Sequence, residues 1–409
     1  MTPWHQSRYA GLFRSTQAVP RLPHDPEVHV WAGSLLREPD GADDQATGGI
    51  GWTADAATGA GVGEALERHG CRPLPTDDVV TASCQKWPHA EPFVRLDRWV
   101  LYHPEQYRRP HFPFARPEPT TPFRWVCCRR AVTGEPLWVP IEMVYLDVPP
   151  GTAILAPSIS TGLACGRPGD PVVLRGAQEV IERDAVVGAW WGRYPLREHD
   201  PAEVWALLGG DIRGRVVRPN LTYRFYRVAG PFSAHVALVT VTGPDLDGGQ
   251  FAIGSACRAT RREAWEKALL EAIQGRLHVR QLIRLDAAEH FEDGWPIDFT
   301  GHALFYTKRP DLLARTPLHA PSAGPDPDAD AEEPLAALVE RLGPERPVLV
   351  RHLTRPEWQE IGETARVVRV VIPGLQPLHG HHGYPFLGGP LWRPRGLAEW
   401  AAVPPHPFP

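Results

Sequence analysis

Carboxylates recur along this chain at a spacing that a helix turns into a face. E-A-L-E-R sets Glu64 and Glu67 before Arg68, and E-V-I-E-R sets Glu179 and Glu182 before Arg183. A third stretch, E-A-I-Q-G-R, places Glu271 and Gln274 at the same interval and ends on Arg276. Residues three apart on a helix are surface neighbours. Such a pair has three uses. It can be a solvated face salt-bridged to the arginine four residues on. It can run general acid–base chemistry. It can hold Mg2+, which prefers hard oxygen ligands and lets substrate phosphates complete its shell. One copy alone would read as surface. Three copies, each with small neighbours (Ala65; Ala177; Ala268 and Ala272) that let helices approach closely, point to a shared site. Arg68, Arg183 and Arg276 would then be the positive partners for phosphates.

The elements that must position these groups are legible in outline. A first helix is expected from about Asp55 to Gly70. A second is expected with Asp170 as N-cap and Pro171 at the first helical position, running to about Gly188. A third opens on a capping box, Thr260 to Glu263, and continues past Gln274. A weaker fourth starts at Asp200-Pro201. Runs rich in β-branched and aromatic residues predict strands at 99–102, 137–146, 216–228, 235–241, 347–353 and 367–372. Turns rather than helices separate many of them, so the fold class is α+β with mixed or largely antiparallel sheets. Residues 38–50 read as an exposed loop. Residues 316–334 are acidic, proline-rich and too polar to bury, and read as a flexible insertion.

Composition excludes several classes. The 409 residues carry a net charge of −5, so bulk charge points to neither nucleic acid nor an anionic membrane. No signal peptide or membrane-length apolar run is present, and a cytoplasmic protein is expected. The six cysteines include no C-x-x-C pair, so reduced, packed thiols are expected, among them Cys127 and Cys128. Walker-type G-x-x-x-x-G-K-[ST], G-x-S-x-G and H-E-x-x-H are absent. His379, His381 and His382 cluster in L-H-G-H-H-G. Without carboxylate or cysteine ligands at the usual spacings, polar packing beside the chain end is expected there, with metal binding as the alternative. Trp190 and Trp191 read as core. Four of the last six residues are proline, a stiff end with little entropy left to lose on docking.

Together these features resemble the YcaO family. Residues 48–68 resemble its first nucleotide motif, S-x3-E-x-x-E-R, and residues 160–185 its second, S-x6-E-x3-Q-x3-E-x-x-E-R. The third helix resembles the family's glutamine-bearing helix, residues 367–378 its closing strand and turn, and P-H-P-F-P the P-x-P-x-P tail of azoline-forming members. The resemblance implies a YcaO-type domain over 51–409, after an N-terminal segment and loop at 1–50, with the proline tail at 403–409. It implies ATP and Mg2+ as cofactors. Glu64, Glu67, Arg68, Glu179, Glu182, Arg183, Glu271, Gln274 and Arg276 would form the cofactor site, with Glu64, Glu67, Glu179 and Glu182 as metal ligands. Pro405, Pro407 and Pro409 would shape the catalytic pocket. The implied reaction closes Cys, Ser or Thr of a ribosomally made precursor peptide onto the preceding amide, forming an azoline. The implied partners are that peptide and a separate leader-binding protein, because few residues precede the first motif; a homodimer stays open. The pattern is broken at Ala60, Ala164, Pro171 and Arg175, where the family has Ser, Ser, Glu and Gln. A degenerate, non-catalytic subunit is therefore one alternative; a family member that keeps the ATP chemistry but uses another nucleophile, forming a thioamide, is the second.

Overall fold

A computed structural model describes residues 11–36, 46–148, 151–246, 248–285, 288–322, 331–356, 358, 364–393 and 395–408. The chain opens with β1 (Phe13–Ala18), β2 (His29–Leu35) and β3 (Ala46–Gly51), a three-stranded antiparallel sheet. Helix α1 (Ala54–Gly70) follows directly. Next come β4 (Val79–Ala82), β5 (Phe123–Arg130), β6 (Pro136–Pro140), β7 (Leu163–Gly166) and α2 (Val172–Trp190). Then come β8 (Leu196–His199), α3 (Pro201–Leu208), α4 (Gly210–Val216), β9 (Thr222–Val228), β10 (Val236–Asp245) and β11 (Gly248–Cys257). The last part holds α5 (Arg261–Arg284), the short pair β12 (Phe291–Glu292) and β13 (Trp295–Pro296), α6 (Phe299–Lys308), α7 (Leu335–Leu342), β14 (Leu349–His352) and β15 (Arg366–Val371).

Two larger sheets organise the middle. One runs β4-β5-β14-β15-β7, with β6 beside β5; the other runs β11-β10-β9-β8. Every pairing between named strands is antiparallel. The expected α+β class with antiparallel sheets is what the chain forms.

Helices lie close on these sheets because glycine removes the Cβ at the contact. A Cβ on Gly49 of β3 would fall 2.1 Å from the Ala57 carbonyl oxygen of α1, and one on Gly254 of β11 2.3 Å from that of Ala268 in α5. Both are hard overlaps with backbone, so larger residues would push the helix away. The core behind the helices is apolar: Ala177, Ile181 and Ala185 of α2 pack with Val368 and Val370 of β15 and with Ile253 and Cys257 of β11.

Several local expectations need correction. Residues 99–102 form no strand; Val100, Leu101 and Tyr102 are buried in a loop, where aromatic packing rather than a ladder explains their composition. Residues 46–50, read as loop, lie in β3, because Gly49 and Gly51 let the strand press against Ala56 and Ala57 of α1. Residues 38–45 lie outside the described residues. Helix α2 starts at Val172 with Pro171 at the cap position and no side-chain cap. The Asp170 carboxylate instead accepts the Arg167 N–H at 2.8 Å. Helix α1 is capped by Thr53, whose hydroxyl accepts from the Ala56 N–H, and α5 by Thr260 as expected. The insertion is anchored at both ends: Leu318 is buried, and buried Glu333 accepts from the Ser233 hydroxyl and the Ala234 N–H. Residues 323–330 lie outside the described residues.

Candidate functional site

The carboxylates of α1 and α2 reach across to backbone donors on neighbouring strands. Glu64 accepts the Gly48 N–H of β3 at 3.0 Å and pairs with Arg68 at 2.7 Å. Glu67 accepts the Cys165 N–H of β7 at 2.6 Å. Glu179 accepts the Gly162 N–H at 3.2 Å, just before β7. Glu182 accepts the Ser255 hydroxyl at 2.5 Å and the Cys257 N–H at 3.0 Å, both from β11. Arg183 lies between Glu179 (3.7 Å) and Glu182 (3.3 Å). The two E-x-x-E-R motifs thus meet where the three sheets come together.

Their proximity has an electrostatic consequence. Burial pushes the Glu67 carboxyl up to about 8, and the charges of Glu179 and Glu64 add to the shift. Burial also raises Glu179 and Glu182, with Arg183 opposing and Glu271 adding repulsion in both cases. Five carboxylates from α1, α2 and α5 share one field. Burial works against the charge of Arg183, but Glu182, Glu179 and Glu271 hold it protonated. The groups are not sealed: the side chains of Glu64, Glu179 and Glu271 are 32%, 28% and 32% exposed. A hard cation held there would relieve the repulsion, and the all-oxygen donor set is the one Mg2+ prefers.

The third motif splits. Glu271 joins the cluster and pairs with Lys267 at 3.1 Å. Gln274 lies beside Gly48, the residue that donates to Glu64; a Cβ there would fall 3.2 Å from its amide nitrogen. Arg276 does not join. Its side chain is 3% exposed and donates to the carbonyls of Gly243 and Pro244 at the β10–β11 turn, and it pairs with Asp245 at 2.9 Å. Its one-residue offset from the E-x-x-E-R spacing turns it toward a different strand end, so it is corrected from phosphate partner to structural tie.

The residues that break the motif occupy exposed or structural places. Ala60 is exposed on α1, and Ala164 is buried in β7 opposite Val368. Pro171 is exposed at the mouth of α2, and Arg175 is exposed, 3.8 Å from Asp170. Two further contributors were not singled out from sequence. Ser255 bonds Glu182. Arg369 is buried in β15 and sits near enough to Glu179 for their charges to interact. A lone arginine inside V-V-R-V-V-I was the available signal for the latter.

The chain end packs on the far end of α2. The Trp190 indole N–H donates to the Pro404 carbonyl at 2.8 Å, and the Tyr306 hydroxyl to that of Pro405 at 2.6 Å. His406 and Phe408 are buried, as are Trp190 and Trp191. Arg183 is close enough for its charge to reach the His406 ring. Pro405 and Pro407 are buried in a segment held by Trp190 of α2 and Tyr306 of α6, while Pro409 lies outside the described residues. Among the described residues no helix is long and apolar enough to cross a membrane, and no disulfide joins the cysteines.

Solved structures share this fold at low identity. YcaO from Methanopyrus kandleri, bound with AMPPCP and Mg2+, superposes with a TM-score of 0.59 at 18% identity over 89% of this chain and 86% of that one. A heterocyclase in complex with substrate and cofactor gives 0.72 at 17% identity over 98% of this chain and 56% of that one. A chain of the E. coli microcin synthetase McbBCD complex gives 0.66 at 11% identity over the full length of both. The chain spans about half the length of the heterocyclases, including TruD, of which it covers 50%. No curated protein sequence matches. A family model described as YcaO cyclodehydratase, ATP- and Mg2+-binding, matches residues 48–376, so this chain belongs to the YcaO family.

Proposed function

We propose that this protein is an ATP- and Mg2+-dependent cyclodehydratase that forms azolines from Cys, Ser or Thr of a ribosomally made peptide. The observation that carries the reading is the meeting of Glu64, Glu67, Glu179 and Glu182, from two helices 115 positions apart, in one strained, partly open field. Glu67, Glu179 and Glu182, held above the ordinary carboxylate range by burial and by neighbouring carboxylates, are poised for a cation rather than for structure. Glu64, Glu67, Glu179 and Glu182 would hold Mg2+, with Arg68 and Arg183 facing phosphate oxygens. Bound ATP would supply the phosphoryl group that makes an amide oxygen a competent leaving group. The chain's own residues then orient and exclude water. Backbone N–H groups of Gly48, Gly162 and Cys165 fix the carboxylate rotamers, and the buried tail forms a rigid wall at the end of α2.

The precursor peptide and a separate leader-binding protein complete the reaction in this reading. Support comes from the kinds of neighbour: one heterocyclase is described with substrate and cofactor, and the microcin synthetase is a complex that has also been seen with pro-MccB17 bound. The tail weighs against thioamide formation. A non-catalytic subunit is the second reading, favoured by Pro171 and Arg175, which stand where the family motif has Glu and Gln; the neighbouring carboxylate of Asp170 already accepts the Arg167 N–H. The test is mass spectrometry of a Cys- or Ser-bearing precursor incubated with the protein, its leader-binding partner, ATP and Mg2+. Loss of one water per ring, dependent on ATP, supports the enzyme. An unchanged peptide, with a partner YcaO chain restoring the reaction, supports the subunit.

A further inference from the structure

Three histidines far apart in sequence meet where the chain end docks. His302 lies on α6, His379 in the loop after β15, and His406 in the terminal segment. Their relative exposures are 0%, 3% and 2%. One ring nitrogen from each lies within 4.8 Å of the others. The sequence grouped His379 with His381 and His382; the fold instead brings it to His302 and His406.

The hydrogen bonds assign the tautomers. His302 uses Nδ1 toward the His406 carbonyl at 2.6 Å, and His406 uses Nε2 toward the His379 carbonyl at 2.8 Å. Carbonyls only accept, so those nitrogens carry the protons. Nε2 of His302 and Nδ1 of His406 then present lone pairs. The Gly380 backbone makes a second hydrogen bond to the His302 ring, so the nitrogens left wholly without partners are Nδ1 of His406 and the two of His379. An orphaned polar atom in a closed apolar site costs stability. Tying one imidazole nitrogen to a backbone carbonyl, as His302 and His406 do, is how metal-ligating histidines are commonly fixed.

We propose that His302, His379 and His406 form a three-histidine Zn2+ site that pins the carboxy-terminal segment to α6. Imidazole donors without thiolate or carboxylate suit a borderline divalent ion and exclude Mg2+ as the preferred occupant. Bonds of about 2.0–2.1 Å in a tetrahedral shell hold donors roughly 3.4 Å apart. Loading therefore draws the rings inward and turns His406 off its 3.8 Å stack on His302. His382, with an orphaned Nδ1, has its ring 6.1 Å from that of His379 and 6.2 Å from that of His302. The site is independent of the proposed peptide chemistry.

The test uses the tag-free full chain, stripped with a chelator and titrated with Zn2+ against a competing chromophoric chelator. One Zn2+ per chain is expected, with a raised Tm. His379→Gln should weaken binding by more than the ~10–100-fold that loss of an outer-shell partner causes, while His381→Gln should bind as the wild type does. Co2+ substituted into the wild type should give the intense visible bands of a tetrahedral site, a readout that needs no variant. Absence of stoichiometric Zn2+ binding, or equal binding by His379→Gln, would overturn the proposal.

Discussion

Two clusters of acids and arginines behave oppositely in the fold. In one, Arg276 and Arg280 of α5 face Asp245 and Asp25, two cations against two anions, all with side chains no more than 11% exposed. Burial raises Asp245, but hydrogen bonds from Arg280 and Leu246 and the Arg276 charge overcome it, and its pKa is lowered. Hydrogen bonds to Asp25 lead the rise in Arg280. In the other, Glu67, Glu179 and Glu182 are all raised despite Arg68 and Arg183. Matched charges mark a tie between elements. Unrelieved carboxylates mark a place kept for something else. The contrast separates structure from site within a single helix, since α5 contributes Glu271 to one cluster and Arg276 to the other.

The largest expected effect tests the matched cluster. Asp245→Ala leaves Arg276 buried without its carboxylate, and unfolding free energy should fall by about 3–5 kcal/mol in denaturant titration. The same carboxylate predicts an acid limb. Because its folded pKa lies below the ordinary 3.8, its contribution is complete above that value and is lost as pH falls through the folded pKa. A plot of stability against pH should therefore lose its acid slope in the variant.

The unmatched cluster should respond the other way. Glu67→Gln keeps an oxygen for the Cys165 N–H while removing a charge that the fold resists. Thermal unfolding should show an unchanged or raised Tm. Affinity for Mg2+ with ATP should nevertheless fall by at least the ~10–100-fold typical of disturbed metal shells. A lower Tm with unchanged affinity would erase the distinction between the clusters.

Sequence carried the paired carboxylates because helical spacing is periodic and side chains at i and i+3 must share a face. It did not carry their strand partners. Gly48, Gly162 and Cys165 act through backbone N–H groups, which no residue type announces. Arg276 was misplaced because a single extra residue rotates a helical side chain by about 100°. The histidine triad was half visible: His379 was marked by its neighbours, whereas His302 and His406 join it only through the docking of α6 and the chain end.

Smaller effects sharpen the boundary of the site. Tyr306→Phe removes the hydroxyl that donates to Pro405, a loss of about 1 kcal/mol. Hydrogen exchange should rise at the amides around 406 and 408 rather than across the fold. Arg175 is exposed and 3.8 Å from Asp170, so Arg175→Gln should change stability by less than about 0.5 kcal/mol in the same titration.

The most direct test of the central claim is calorimetric titration of the wild type, Glu64→Ala and Glu179→Ala with ATP in the presence of Mg2+. The account predicts saturable, Mg2+-dependent binding by the wild type and its loss in both variants, with folding intact. Equal binding by all three, or none by a folded wild type, would contradict a nucleotide site built from the two E-x-x-E-R helices.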